Sequence, residues 1–203
     1  MDLPVSIATK RLPHASKDVK VYYPVVTQLP NLNVQSTINH AIITALNKIL
    51  VERSFYDKDL VELLAYFELK NNQRSILSLN IIVYSFTGGA HGMTTIKSLT
   101  FDTKTGKQYE LKDLFKKGSD YEKRLSDIIN QRIKDWDIQL LEPFKGIRSD
   151  QDFYIADTSL VIYFQLYEIT AYVWGFPYFP IPIKDLADII NPDGPLDRMM
   201  SFT

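Results

Sequence analysis

Apolar and polar positions alternate along residues 60–70 (LVELLAYFELK). Val61, Leu63, Ala65, Phe67 and Leu69 fall on one side, and Glu62, Leu64, Tyr66 and Glu68 on the other. A period of two predicts a strand with one buried face. Asn71-Asn72-Gln73 reads as a turn, and 74–86 as the next strand. Its Leu77, Leu79, Ile81 and Val83 point inward, while Ile76, Ser78, Asn80, Ile82 and Tyr84 take the opposite face. Residues 94–102 predict a third strand, 103–106 a turn, and 107–110 a segment pairing back. The stretch 62–110 is thus an antiparallel meander. Two strands rich in β-branched and aromatic residues precede it, at 5–9 and 19–26. Pro24 marks the second as an edge strand or a strand end.

The period changes to that of a helix after Asn33, the expected N-cap. Val34, Ile38, Ala41, Ile42, Ala45, Leu46 and Ile49 form one stripe, ending near residue 51. A second helix, capped by Ser119 or Asp120, carries Tyr121, Leu125, Ile128, Ile129, Ile133 and Trp136, with Arg132 snorkelling from the stripe. Residues 111–115 make a short cap and 137–152 are irregular. Segments 153–156 and 160–169 flank Asp157-Thr158-Ser159, which predicts a hairpin. Its second strand is apolar almost throughout and so reads as central. A proline-rich loop follows at 170–182, a short helix at 183–190, and a loosely ordered tail from 191.

Helices segregated against antiparallel strands define an α+β fold, with antiparallel sheets packed on two main helices. The strand-helix-strand order also allows two β-helix-β subdomains. At 203 residues, one compact chain 1–203 is expected, with an N-terminal subdomain 1–80 and a C-terminal subdomain 81–195 as its divisions.

Charge removes one class of partner. With 23 basic against 24 acidic residues, no broad field steers nucleic acid to this surface. Cysteine is absent, which excludes disulfides, zinc-thiolate sites and thiol nucleophiles. No apolar run reaches the roughly 18–20 residues of a membrane span. The first twenty residues lack the hydrophobic run of a signal peptide, so either a cytoplasmic chain or one whose leader is absent is expected.

Motif chemistry is sparse. No GxGxxG, P-loop or GxSxG segment occurs, so no cofactor is implied. The histidines, at 14, 40 and 91, stand far apart and imply no metal site. His14 reads as a loop residue and His40 as helix surface. His91 sits in the loop 87–93, among Gly88, Gly89 and Gly92, which lets the backbone take a forced path. It either pins that loop by bonding a nearby carbonyl or carboxylate, or bonds a ligand. Asp150, Asp152 and Glu168 are carboxylates at loop entries, read first as capping or solvated groups. A hydrolase reading would use Glu168 or Asp152 as acid/base, with His91 assisting. Aromatic residues crowd positions 163–179. Phe176 and Phe179 read as core, while Tyr167, Tyr172 and Trp174 fit either a core lid or an exposed binding platform. No residue is assigned a catalytic role. Gly88, Gly89, His91, Tyr167, Glu168, Tyr172 and Trp174 are the candidate ligand- or partner-binding set.

Four segments carry a family resemblance: YSFTGGAHG at 84–92, FDTKTGKQYELKDLF at 101–115, DFYIADTSLVIYFQLYE at 152–168 and IPIKDL at 181–186. With Tyr23-Pro24 and the helix after Asn33, they resemble the domain found in RsiV-type anti-sigma factors and beside PdaC-type peptidoglycan deacetylases. Where members of that family carry Ala-Pro-Tyr, this chain has Thr170-Ala171-Tyr172. The resemblance implies an α+β domain of the bacterial cell envelope, outside the membrane and without catalysis of its own. It implies a protein partner such as lysozyme, which the RsiV-like branch binds as a receptor, or a peptidoglycan fragment.

Overall fold

A computed structural model describes residues 4–200 of the chain. It is an α+β fold of two compact units that divide between Gln108 and Tyr109. The position expected to separate subdomains, residue 80, lies inside a strand.

In the first unit, strands β1 (Ser6–Leu12) and β2 (Val19–Thr27) pair antiparallel. Helix α1 (Leu32–Glu52) then crosses to β3 (Glu62–Gln73), which runs parallel to β2 over Val19–Val21. Strands β4 (Ile76–Phe86) and β5 (Met93–Asp102) complete the expected meander, giving the order β1-β2-β3-β4-β5. Pro24 is opposite Thr9 of β1, beyond the residues where β2 meets β3, so its missing N–H breaks no ladder there. On α1, Ile38, Ile42, Leu46, Ile49 and Leu50 pack in one core with Leu63, Ala65, Leu79, Ile81, Val83, Leu99 and Phe101 of the sheet. Strand β4 is buried on both faces. Of its polar members, Ser78 Oγ lies 2.8 Å from Thr100 Oγ1, and Asn80 Oδ1 accepts from Ser98 Oγ at 2.7 Å, while Asn80 Nδ2 is buried without a hydrogen-bond partner.

Three expectations in this unit shift by a few residues. The N-cap of α1 is Asn31, not Asn33: its Oδ1 accepts from the N–H groups of Asn33 and Val34 at 3.0 and 3.3 Å. The β3–β4 turn is Arg74-Ser75, both at positive φ (53° and 58°), as a two-residue hairpin with the right twist requires. Asn71, expected in that turn, is instead buried at a bulge after Leu69, where Nδ2 donates to the Ile76 carbonyl at 2.7 Å. The return segment at 107–110 reduces to one bridge, Phe101 with Gln108.

In the second unit, β6 (Phe153–Ala156), β7 (Ser159–Tyr163) and β8 (Tyr178–Pro182) form a sheet with β7 central. Helix α2 (Tyr121–Asp135) buries Leu125, Ile129 and Ile133. Trp136, just beyond it, stacks on Phe179 with centroids 5.7 Å apart, and the Arg132 guanidinium lies over the Trp136 ring. The same guanidinium donates to the Pro180 carbonyl, so Arg132 reaches out of the apolar stripe as expected.

Strand β8 corrects the reading of 170–182 as loop throughout. Pro180 and Pro182 face outward on an edge strand, where a missing N–H costs no ladder bond, while Phe179 and Ile181 are buried. The tail is also more ordered than expected: α3 (Pro195–Met200) buries Leu196 and Met199.

At the start of α2, the Tyr121 ring stacks on Phe115 at 4.8 Å and its hydroxyl donates to Glu122. Burial, then the Glu122 hydrogen bond and charge, push the phenol up to about 12 from 10.0. A raised folded-state value means the neutral ring stabilises the fold fully below pH 10, and that contribution is lost as pH rises from 10 through about 12. Comparing alkaline unfolding of the parent and Tyr121→Phe should show the parent losing more stability across that window. Equal pH slopes for the two proteins would contradict the assignment.

Candidate binding site

The candidate residues lie on two separate loops, one in each unit. Gly88, Gly89 and His91 sit in the hairpin connecting β4 to β5. Gly88 and Gly89 take φ of 95° and 100°, a region closed to residues with a Cβ, and open space surrounds both. Gly92 has a different reason for being glycine: a Cβ there would stand 2.3 Å from the Tyr84 ring. His91 is exposed at the tip, and its Nδ1 donates to the Gly92 carbonyl at 3.0 Å. The loop-pinning reading is therefore realised without burying the imidazole. Gly92→Ala should displace the half-buried Tyr84 ring and cost about 1 kcal/mol, the low end for overpacking, since a ring tip can swing aside. Thermal unfolding with tyrosine fluorescence reads both effects.

Tyr167, Glu168, Tyr172 and Trp174 share one loop in the second unit. Strand β7 was expected to run to residue 169, but it stops at Tyr163 because the backbone turns sharply there. Glu168 closes that turn reciprocally. Its N–H donates to the Gln165 carbonyl at 3.1 Å, and its Oε2 accepts from the Gln165 N–H at 2.7 Å. The other oxygen, Oε1, accepts from the Arg148 guanidinium and, at 3.4 Å, from Gln151 Nε2. Gln151 also donates to the Tyr163 carbonyl at 2.8 Å, which ties the strand end to the same group. Burial draws the Arg148 guanidinium down, but the charge and hydrogen bond of Glu168, then those of Asp150, outweigh it and hold it above its ordinary value.

Between these clamps Tyr167 is held at φ 64°, a left-handed conformation that bulky residues rarely adopt. Its ring, 47% exposed, lies 5.7 Å from that of half-buried Tyr172. Tyr172–Trp174 form a single 3-10 turn ended by Gly175 at φ 67°. That turn leaves Trp174 42% and Val173 88% exposed. Phe179 is core, as expected, and Phe176 is half-buried. Within this segment Thr170 Oγ1 is buried and without a hydrogen-bond partner. Each such atom costs about 1–3 kcal/mol, the kind of expense tolerated near functional surfaces.

Sequence reading missed Val173, Arg148 and Gln151. An isolated valine in a proline-rich loop carries no periodic signal, and the other two matter only through contacts with a turn far along the chain. The Glu168 oxygens are spent on Gln165, Arg148 and Gln151, and Asp152 Oδ2 accepts from Gln165 Nε2 at 3.1 Å. Both carboxylates proposed for acid/base work are thereby engaged in holding the turn. Among the described residues, no group of three or more His, Cys, Asp or Glu side chains is placed to hold a metal ion. Nor is any described helix long and apolar enough to cross a membrane.

A helix-crossed five-stranded sheet followed by a three-stranded sheet is an architecture already seen in solved proteins. A DUF3298 family member from Bacteroides fragilis superposes with a TM-score of 0.71 over 97% of both chains, at 15% identity. One from Pseudomonas aeruginosa gives 0.71 over 95% of this chain and 96% of its own, at 18% identity. These likenesses establish the fold alone. By sequence, residues 112–184 match the family described as a protein of unknown function, DUF3298, and residues 14–94 match that described as deacetylase PdaC. Each match falls within one unit. The chain is also 27% identical over 196 residues to the anti-sigma-V factor RsiV of Bacillus subtilis, covering 87% of this chain and 66% of that protein's length. The chain is thus similar to RsiV-like and PdaC-associated domains, as its GGAHG and FDTKTGK segments lead one to expect.

Proposed function

We propose that this chain is a non-catalytic binding domain of the bacterial cell envelope, and that it recognises a protein partner such as lysozyme. The observation that carries the reading is the aromatic turn of the second unit: Tyr167, Tyr172 and Trp174, braced by Glu168. Exposed aromatic rings on a rigid loop contribute contact area at small entropic cost, which is how hot spots form. Similarity to an anti-sigma-V factor supports a regulatory role and an extracytoplasmic location. His91, on its own hairpin tip with Gly88 and Gly89 shaping the path, is proposed as a separate contact. Calorimetric titration with lysozyme, and in parallel with soluble muropeptides, tests the proposal. Saturable heat with lysozyme supports it. Heat with muropeptides alone moves the partner to cell-wall glycan, and silence with both removes the reading.

A further inference from the structure

We propose that the first unit carries a second, independent site: a cavity of about 580 Å³ beside His14 that takes a sugar ring bearing a carboxylate. Its walls come from Pro13 and His14, after β1, and from Phe55, Tyr56, Asp57 and Lys58, after α1. The volume lies within the range of small-ligand sites, about 300–1,000 Å³. Phe55 is 7% exposed and forms the floor. His14 stands edge-on to it at 5.1 Å and Tyr56 at 4.8 Å.

The cradle is ordered before any ligand arrives. Ser54 takes φ 64°, and the chain leaving α1 is bonded at each step: Phe55 N–H to the Leu50 carbonyl at 2.9 Å, Asp57 N–H to Ser54 at 3.0 Å, and Leu60 N–H to Asp57 at 3.3 Å. Fixed walls reduce the ordering cost of binding.

The exposed chemistry selects the ligand. The Ser16 N–H donates to His14 Nδ1 at 3.1 Å, so the neutral imidazole carries its proton on Nε2, for which no protein partner exists among the described residues. Tyr56 is 71% exposed and offers a ring face on which the C–H face of a sugar can stack. Asp57 accepts from hydroxyls, and Nε2 of His14 donates to them. Arg11 lines a smaller cavity that shares Pro13 and His14 with the first. The larger cavity's own lining balances Lys58 against Asp57, and Arg11 of the adjoining one tips the pair toward an anionic ring. A phosphate fits less well. Residues 55–58 follow the C-terminal end of α1, whose carbonyls carry negative partial charge and oppose a dianion more strongly than a single carboxylate. An aromatic platform flanked by mixed donors and acceptors suits a polyhydroxylated ring better.

The test uses the full chain and two probes: a hyaluronan tetrasaccharide, which alternates N-acetylglucosamine with glucuronate, and neutral chitotetraose. Titrations followed by amide and imidazole NMR should show the acidic probe moving signals of His14 and residues 54–60, with affinity about tenfold above that of chitotetraose. Tyr56→Ala, at an exposed position, should weaken that binding about tenfold, and Lys58→Ala should abolish the preference for the acidic probe. Three outcomes overturn the site: no shifts at millimolar probe, shifts confined to the Tyr167–Trp174 loop, or Tyr56→Ala binding as the parent does. Lysozyme titration of Tyr56→Ala separates the two proposals, since that variant should keep its lysozyme heat whether or not the saccharide site exists.

Discussion

Trp174→Ala is expected to weaken lysozyme binding about 10- to 100-fold while leaving the melting temperature nearly unchanged. The two halves of this expectation rest on different facts. Tryptophan is the side chain most often found at hot spots, and truncating one costs about 2 kcal/mol or more when a partner buries it, which is more than tenfold in affinity. In the free protein Trp174 is 42% exposed on a one-turn 3-10 segment, so the fold loses little packing with it. Tyr167→Ala should act in the same direction, because its ring lies against Tyr172 and is equally open to a partner. Phe179→Ala is the informative contrast. That ring is fully buried against Trp136 and Phe164, so its loss should cost about 3–5 kcal/mol of stability. Calorimetry on the two loop variants checks the binding half, and thermal unfolding the stability half. Parent-like affinity in both loop variants would remove the aromatic turn from the interface.

Glu168→Ala is expected to destabilise the second unit by about 2–3 kcal/mol and to weaken partner binding as well. The estimate comes from hydrogen bonds, not from the ion pair. Arg148 is half exposed in its side chain, and a pair so open to water contributes at most about 1 kcal/mol. The Gln165 N–H is another matter: it loses a charged acceptor at 2.7 Å in a partly buried setting. Without the carboxylate the Glu168 N–H bond to the Gln165 carbonyl is left to oppose the positive φ of Tyr167, whose strain is about 1–3 kcal/mol, so the turn should relax and the ring should leave its place against Tyr172. Glu168→Gln keeps an acceptor for Gln165 and should recover most of the stability. Urea unfolding followed by tryptophan fluorescence measures this, since both tryptophans lie in the second unit. Unchanged midpoints for Glu168→Ala would mean that the turn is held by its backbone alone.

Local chemistry was legible wherever one short stretch of chain decides the outcome. The helical stripe from Val34 to Ile49 reports which side of α1 faces the core, and the alternation after Leu60 does so for Leu63 and Ala65 of β3, whereas Val61 and Leu69, expected on the same side, are exposed. The glycines around His91 likewise announced a forced backbone path, since positive φ is a property of one residue and its neighbours. Where the readings slipped, a competing local signal was outweighed. Asn71-Asn72 has turn composition, yet Asn71 gains more by satisfying the Ile76 carbonyl inside the sheet, and Arg74-Ser75 turns instead. Apolar residues to 169 suggest a long strand, but β7 ends at Tyr163 and a turn bonded by the Glu168 carboxylate follows.

Composition and periodicity by themselves determined that this protein is α+β, that it has no thiol chemistry, and which stripe of each main helix is buried; that β4 is buried on both faces came from the tertiary structure. Tertiary structure alone decided how far Tyr167, Tyr172 and Trp174 remain in water. Phe179, expected in the core, and Trp174, which fits either core or surface, stand five residues apart in the same proline-rich stretch. Pairing of Tyr178–Pro182 with β7 sends Phe179 beneath Trp136, whereas the turn braced by Glu168, Arg148 and Gln151 keeps Trp174 open. Such a choice depends on hydrogen bonds and packing between residues distant in sequence, and no periodic pattern along the chain encodes them.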